Sequence, residues 1–219
     1  MEGFFAALIL ILIGLTIIRK ATKPTRKRRY RYKPIYDYRS PEEKGAEGEA
    51  FVSNIIGGTV FGEQYLINDI IITYNSKSSQ IDHILINTNG IYVIETKNYA
   101  GYIYGSEEDM YWTQVINQYT KNRFYNPVKQ NATHVYNLKR LLNTTVPIHS
   151  LVVFTKANIQ KVYIPNVITI RDLAIEVHNK KGPLTAQEMG TLYNKIMELK
   201  FSNSTTKQEH VENIQKRYK

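Results

Sequence analysis

Residues Gln80–Tyr99, QIDHILINTNGIYVIETKNY, constrain the fold of this chain more than any other stretch. Two runs rich in β-branched and aromatic residues flank Asn89-Gly90, a dipeptide that favours a tight hairpin turn with positive φ. Both runs are apolar on both faces, as expected of strands in the middle of a sheet. Yet the hairpin carries Asp82, Glu95 and Lys97, and charges on buried strands are costly unless paired or bound to a metal. With Asn89-Gly90 as a two-residue loop, Asp82 falls opposite Lys97. With Asn87–Gly90 as a four-residue loop, Asp82 falls opposite Glu95. Because strand side chains alternate with period two, either register puts all three on one face, whereas an unbulged three-residue loop splits them. Two carboxylates and an ammonium on one spot suit a hard divalent cation, Mg²⁺ or Mn²⁺.

The chain of 219 residues has room for one domain with appendages. It has no cysteine, which excludes a disulfide framework and a thiolate zinc site, and its five histidines form no H-x-x-x-H pair. No glycine loop matches the phosphate-cradling pattern G-x-x-x-x-G-K, and there is no internal repeat. The net charge of +10 invites a nucleic-acid reading, but its distribution weakens that. Arg19–Lys33 alone holds nine Lys/Arg and no acid, and only Glu2 is charged before it, so residues 34–219 carry about +2.

The basic segment follows an apolar run, Phe4–Ile18. At about 1.5 Å per residue the run falls slightly short of a ~30 Å hydrocarbon core, a gap that snorkelling flanks close. No basic region precedes it and no A-x-A-like cleavage site follows, which argues against a cleaved signal peptide. We expect residues 1–18 to be a single-pass anchor in the cell membrane and the rest to be cytoplasmic, since Lys/Arg clusters stay inside. Residues 19–39 then form a basic juxtamembrane linker, with residues 19–33 facing anionic inner-leaflet lipids.

A helix is expected from Ser40 (N-cap), Pro41 (N1) and Glu43 (capping box) to Gly57-Gly58. Its Phe51, Val52, Ile55 and Ile56 should face a core, while Gly45 and Gly48 mark close approach to a sheet or substrate. Strands are expected in Thr59–Tyr74, and around GYIYG and MYWTQV on either side of the acidic turn Ser106–Asp109. Asn126-Pro127 starts a helix with an apolar stripe of Val128, Ala132, Val135, Leu138 and Leu142, with Gln130 and His134 one turn apart on an adjacent face. Further strands fall at His149–Phe154 and Val167–Ile170, a short helix at Leu173–Asn179, and a last helix capped by Thr185 and Glu188. The domain is placed at residues 40–155, a packed strand–helix extension at 156–201, and a polar tail at 202–219.

The order Gly45-x-x-Gly48-Glu49, Gln80-Ile81-Asp82-His83, Gly90 to Tyr99 with its Glu95-Thr96-Lys97 triplet, Gly101, Gly105, Trp112, and Asn126-Pro127-x-x-Gln130-x-x-x-His134 resembles the NERD (nuclease-related) domain. That family is assigned to the PD-(D/E)-x-K restriction-endonuclease-like superfamily. The resemblance spans roughly Glu42–Phe154. It implies an α/β fold with a mixed central sheet flanked by helices. It further implies catalytic roles for Asp82, Glu95, Lys97 and Glu49, with Asp82 and Glu95 as ligands of Mg²⁺ (or Mn²⁺) and the Thr96 carbonyl as a further ligand. Gln130, His134 and Gln80 would position substrate. The proline–aspartate pair is not literal, since Ile81 precedes Asp82. His83 points away from Asp82 and reads as a core histidine.

The function expected is therefore metal-dependent hydrolysis of nucleic-acid phosphodiesters, with DNA favoured over RNA as partner. The near-neutral charge beyond Lys33 speaks for an alternative, a catalytically inactive membrane-tethered module that keeps the fold and binds nucleic acid or protein. A metal-free buried ion-pair cluster is the plainest explanation of the three charges, and it is weak because such pairs stabilise little.

Overall fold

A computed structural model describes residues 39–178 and 181–202, together with Glu209 and Glu212. The expected anchor, nearly all of the basic linker and most of the polar tail lie outside these residues. Among the described residues no helix is long and apolar enough to cross a membrane.

The chain forms a helix α1 (Pro41–Ile56), strands β1 (Gln64–Tyr74), β2 (Lys77–Asn87) and β3 (Gly90–Lys97), then short strands β4 (Tyr102–Tyr104), β5 (Tyr111–Val115) and β6 (Lys121–Tyr125). Helix α2 (Pro127–Leu142), strands β7 (Ile148–Phe154) and β8 (Val167–Thr169), and helices α3 (Ile170–His178) and α4 (Ala186–Ser202) complete it. The main sheet has the order β1-β2-β3-β7-β8. Its first three strands are antiparallel, and β3, β7 and β8 run parallel, so the sheet is mixed with β3 at its centre. Helices flank both faces. Val52 and Ile56 of α1 pack with Leu173 and Val177 of α3 on Leu85, Tyr92 and Ile94. Leu138 and Leu142 of α2 and Met189, Leu192 and Ile196 of α4 pack on Ile84, Ile86, Ile91 and Val93. Each fully buried aliphatic side chain contributes about 1.5–3 kcal/mol, which explains the near-continuous apolar runs of β2 and β3.

Sequence expectation and structure part company at several places. The positive-φ turn falls not at Asn89-Gly90 but one hairpin earlier, at Asn75 and Ser76 (φ 49° and 60°), which join β1 to β2. In the β2–β3 hairpin Asn87 pairs with Gly90, and of the turn residues Gly90 alone has positive φ, 135°. The Asn87 side chain accepts a hydrogen bond from the Asn89 amide at 2.9 Å and stabilises this alternative turn. Thr59 lies outside any strand, Val60 makes only an isolated bridge to Gln64 across the turn 61–63, and β1 runs unbroken past Asp69, whose φ is 50°. Ile170 opens α3 rather than ending β8.

Strand β6 was not expected: KNRFY turns only Phe124 toward the core and lacks an apolar signature. On α1 only Val52 and Ile56 of the four apolar residues are buried, Phe51 and Ile55 being 43% and 37% exposed. On α2 Ala132 is exposed, and Asn131, His134 and Asn137 occupy buried positions beside Val128, Leu138 and Leu142.

Strands β4–β6 form a separate antiparallel sheet inserted between β3 and α2. Its inner residues Ile103 and Trp112 join Val128, Val152 and Phe154 in a third core cluster. The Trp112 ring stacks on Phe154 with centroids 6.4 Å apart, and its Nε1 donates to the Ser106 carbonyl at 2.8 Å.

Candidate active site

The β2–β3 ladder ends at the pair His83–Ile94, one step before Asp82 and Glu95 would face each other. Beyond it the strands part, and the Asp82 side chain takes over the hydrogen bonding. Its Oδ2 accepts from the Thr96 amide at 2.8 Å. The observed register is thus the one that aligns Asp82 with Glu95.

Glu95 is 2% exposed. Its Oε1 accepts from Lys97 Nζ at 2.6 Å, and its Oε2 lies 3.5 Å from His134 Nε2, too long for a firm hydrogen bond. Lys97 Nζ also donates to Gln130 Oε1 at 3.1 Å. The helix residues Gln130 and His134, a turn apart on α2, therefore both reach the E-x-K pair. Burial raises the Asp82 carboxyl well above its usual range, and the charge of Glu95 adds to the rise, against the Thr96 amide and Lys97, with Glu49 adding a smaller push upward. Burial works the same way on Glu95, but Lys97 and His134 override it and hold that carboxyl low. Burial opposes the Lys97 charge, and the carboxylates of Glu95 and Asp82 more than restore it, so its pKa is raised. Environment thus pushes two neighbouring carboxyls in opposite directions, an arrangement typical of acid–base and metal chemistry.

Glu49 is brought near by the packing of α1. Gly48 is buried, and a Cβ there would stand 2.6 Å from Asn98 Cβ and 3.4 Å from Thr96 Cγ2, so only glycine lets α1 approach the end of β3. Gly45 has nothing within 4 Å of such a Cβ and plays no comparable part. Gln80 is engaged by Asp69 rather than by the E-x-K pair: its Nε2 donates to Asp69 Oδ1 at 2.8 Å. His83 is a core residue, 1% exposed, with Nδ1 2.8 Å from Asn68 Oδ1.

Two residues not singled out from the sequence hold the site together. Asn131 is fully buried in α2 and its Nδ2 donates to the carbonyls of Val93 and Leu151 and to Ser150 Oγ, pinning to β3 and β7 the helix that carries Gln130 and His134. Asn98 donates to the Lys44 carbonyl at 2.6 Å and to Glu47 Oε2 at 3.0 Å, and accepts from Thr155 Oγ1, fastening α1 to the strand ends. An asparagine at an otherwise core-facing helix position was the available signal for Asn131.

Fold and cluster together define a mixed α/β protein with a buried glutamate paired to a half-buried lysine at the end of its central strand, faced by a second carboxyl and a helix bearing glutamine and histidine. The chain belongs to the nuclease-related domain (NERD) family, whose sequence model matches residues 44–155. It is 30% identical over 186 residues, 81% of this chain and 87% of the other, to an uncharacterized protein of Bacillus anthracis. No solved structure matches it with statistical significance.

Proposed function

We propose that the protein is a divalent-metal-dependent nuclease of the PD-(D/E)-x-K type, tethered to the cytoplasmic face of the cell membrane. The observation that carries this reading is the ion pair of buried Glu95 with half-buried Lys97, beside Asp82 at the parting of β2 and β3. Such a cluster contributes little to stability, so a chemical role explains it better.

The donor set fits a hard cation. Glu95 Oε2 is buried without a hydrogen-bond partner, and Asp82 is raised by burial and by the neighbouring negative charge, both of which a cation between the two carboxyls offsets. Among the described residues no three His, Cys, Asp or Glu side chains form a ready metal cage. The two carboxyls of Asp82 and Glu95 match the way Mg²⁺ or Mn²⁺ binds, through one or two carboxylates with waters and substrate phosphate oxygens. When bound, such an ion polarises the phosphate and lowers the pKa of a coordinated water. Asp82 and Glu95 would hold it, with Glu49 as an outer carboxylate. Lys97, fixed by Glu95 and Gln130, keeps a proton free to orient the attacking water or to neutralise charge on phosphorus. Gln130 and His134 flank that position and orient substrate. Gln80 acts at most at the rim, since Asp69 holds its amide.

The apolar run 4–18 followed by the cationic segment supports a membrane anchor, with residues 19–33 on anionic lipid. The near-neutral charge of residues 34–219 favours a second reading, a binding module without turnover. The purified chain, incubated with single- and double-stranded DNA and RNA and with Mg²⁺, Mn²⁺ or EDTA, separates the two. Metal-dependent cutting of any substrate supports the nuclease, and binding without cutting under every condition supports the module.

A further inference from the structure

The inserted sheet β4–β6 has one face buried on the core and one face covered by nothing among the described residues. The register places Tyr102 beside Val115 and Lys121, Tyr104 beside Thr113 and Arg123, and Tyr111 beside Tyr125. Strand alternation sends these to the face opposite Ile103 and Trp112. Four tyrosines, at 102, 104, 111 and 125, are 41–52% exposed there. The Arg123 guanidinium lies 5.1 Å from the Tyr111 ring centroid, and Tyr111 meets Tyr125 edge to face at 6.1 Å, so the rings are held in place. No strand of this sheet contains Asp or Glu, and its two charged residues, Lys121 and Arg123, are both cationic and both on the edge strand β6. The acidic turn Glu107–Asp109 closes the end near Tyr111, away from Lys121.

We infer that this outer face is a stacking platform for single-stranded nucleic acid, which deepens the nuclease reading above and rests on it for the choice of polymer. Exposed rings beside cations fit bases and phosphates together. A duplex is a poor fit, because its bases are already stacked about 3.4 Å apart along each strand and two cations neutralise too few of its phosphates. Tyr102 and Tyr104 stand roughly 6.6 Å apart along one strand, a spacing that suits unstacked bases. The platform lies next to the site in the chain: β4 begins five residues after Lys97, and β6 ends five residues before Gln130. Its underside shares a core cluster with Phe154, the register partner of Lys97.

The test is fluorescence anisotropy in EDTA with labelled oligo-dT, oligo-U and a blunt DNA duplex of about 16 nucleotides, using the full chain so that residues 19–33 give the same background throughout. Tyr104→Ala/Tyr125→Ala should weaken single-strand binding by about tenfold or more, whereas Tyr104→Phe/Tyr125→Phe, which keeps the rings, should bind as wild type. Arg123→Gln should lower the salt slope by about one. Near-UV circular dichroism establishes that each variant is folded. Oligo-dT and oligo-U tell whether DNA or RNA is preferred. Equal binding by the alanine pair and wild type overturns the inference, as does a preference for duplex or an equal loss of binding to polyphosphate, which has no bases. If wild type cuts single strands and the alanine pair cuts and binds unimpaired, the platform fails and the nuclease stands. If the alanine pair loses binding and wild type never cuts, the platform stands and the nuclease fails.

Discussion

Lys97 holds more of this site than any other side chain, because its ammonium is the charged partner of a glutamate that is 2% exposed. Removing it leaves Glu95 buried and uncompensated, which costs about 3–5 kcal/mol. Lys97→Ala should therefore melt well below wild type, and Glu95→Gln/Lys97→Ala should recover most of the loss in thermal denaturation. Equal melting temperatures for Lys97→Ala and wild type would show that the pair is not buried as described. His83 gives a pH signature. Burial lowers its imidazole from 6.5 to about 4, against a smaller upward pull from Glu95 and Asp69. The fold accepts the neutral ring, so the stability it contributes is present above about pH 6.5 and is lost as pH falls toward 4, by up to ~3 kcal/mol. Melting temperature measured across that window should fall in wild type and fall less in His83→Gln. At this scale the sequence was informative where period-two alternation applies, as for Asp82, Glu95 and Lys97. For Asn131 it offered only an asparagine at a core-facing helix position, and it was silent for Asn98, whose partners Lys44, Glu47 and Thr155 lie in elements distant along the chain.

The elements owe their placement to local signals of unequal strength. The capping box of Ser40 and Glu43 and the αL cap at Gly57 bound α1 where expected, because both depend on neighbouring residues alone. The hairpin register was open between two turns, and the side-chain hydrogen bond of Asn87 helps to select the one with Thr88-Asn89 at its centre. Strand β6 escaped because an edge strand with one inward residue carries no periodic apolar pattern. The two helical glycines of α1 make opposite predictions. Gly48→Ala forces a Cβ to within 2.6 Å of Asn98 and should destabilise by about 1–3 kcal/mol. Gly45→Ala meets nothing and should stabilise by up to about 1 kcal/mol through helix propensity. Denaturant midpoints for the two variants check this, and a stabilised Gly48→Ala would contradict the close approach of α1 to β3.

For the whole molecule, the central place of β2 and β3 was legible because both strands are apolar on both sides, which requires cover on both, whereas the mixed sheet flanked by helices was implied by the family resemblance alone. The separate β4–β6 sheet was not, since nothing in short strands tells which sheet they join. The unequal charge distribution predicts a two-part behaviour. The full chain should float with phosphatidylserine-containing vesicles and stay bound in high salt, while a chain lacking residues 1–38 should remain in the soluble fraction. Flotation of both, or of neither, would contradict an anchor in residues 1–18. Release of the full chain by salt would leave only the electrostatic contact of residues 19–33.

Asp82→Asn separates chemistry from folding more cleanly than any other substitution. The amide oxygen can still accept from Thr96, and the change removes a carboxyl whose ionisation burial and Glu95 already oppose. Its melting temperature should equal or exceed that of wild type. The decisive measurement is the initial rate of Mg²⁺- or Mn²⁺-dependent nucleic-acid cleavage by Asp82→Asn beside wild type. The account predicts a loss of about 10²-fold or more with folding intact, and cleavage by Asp82→Asn at the wild-type rate would contradict it.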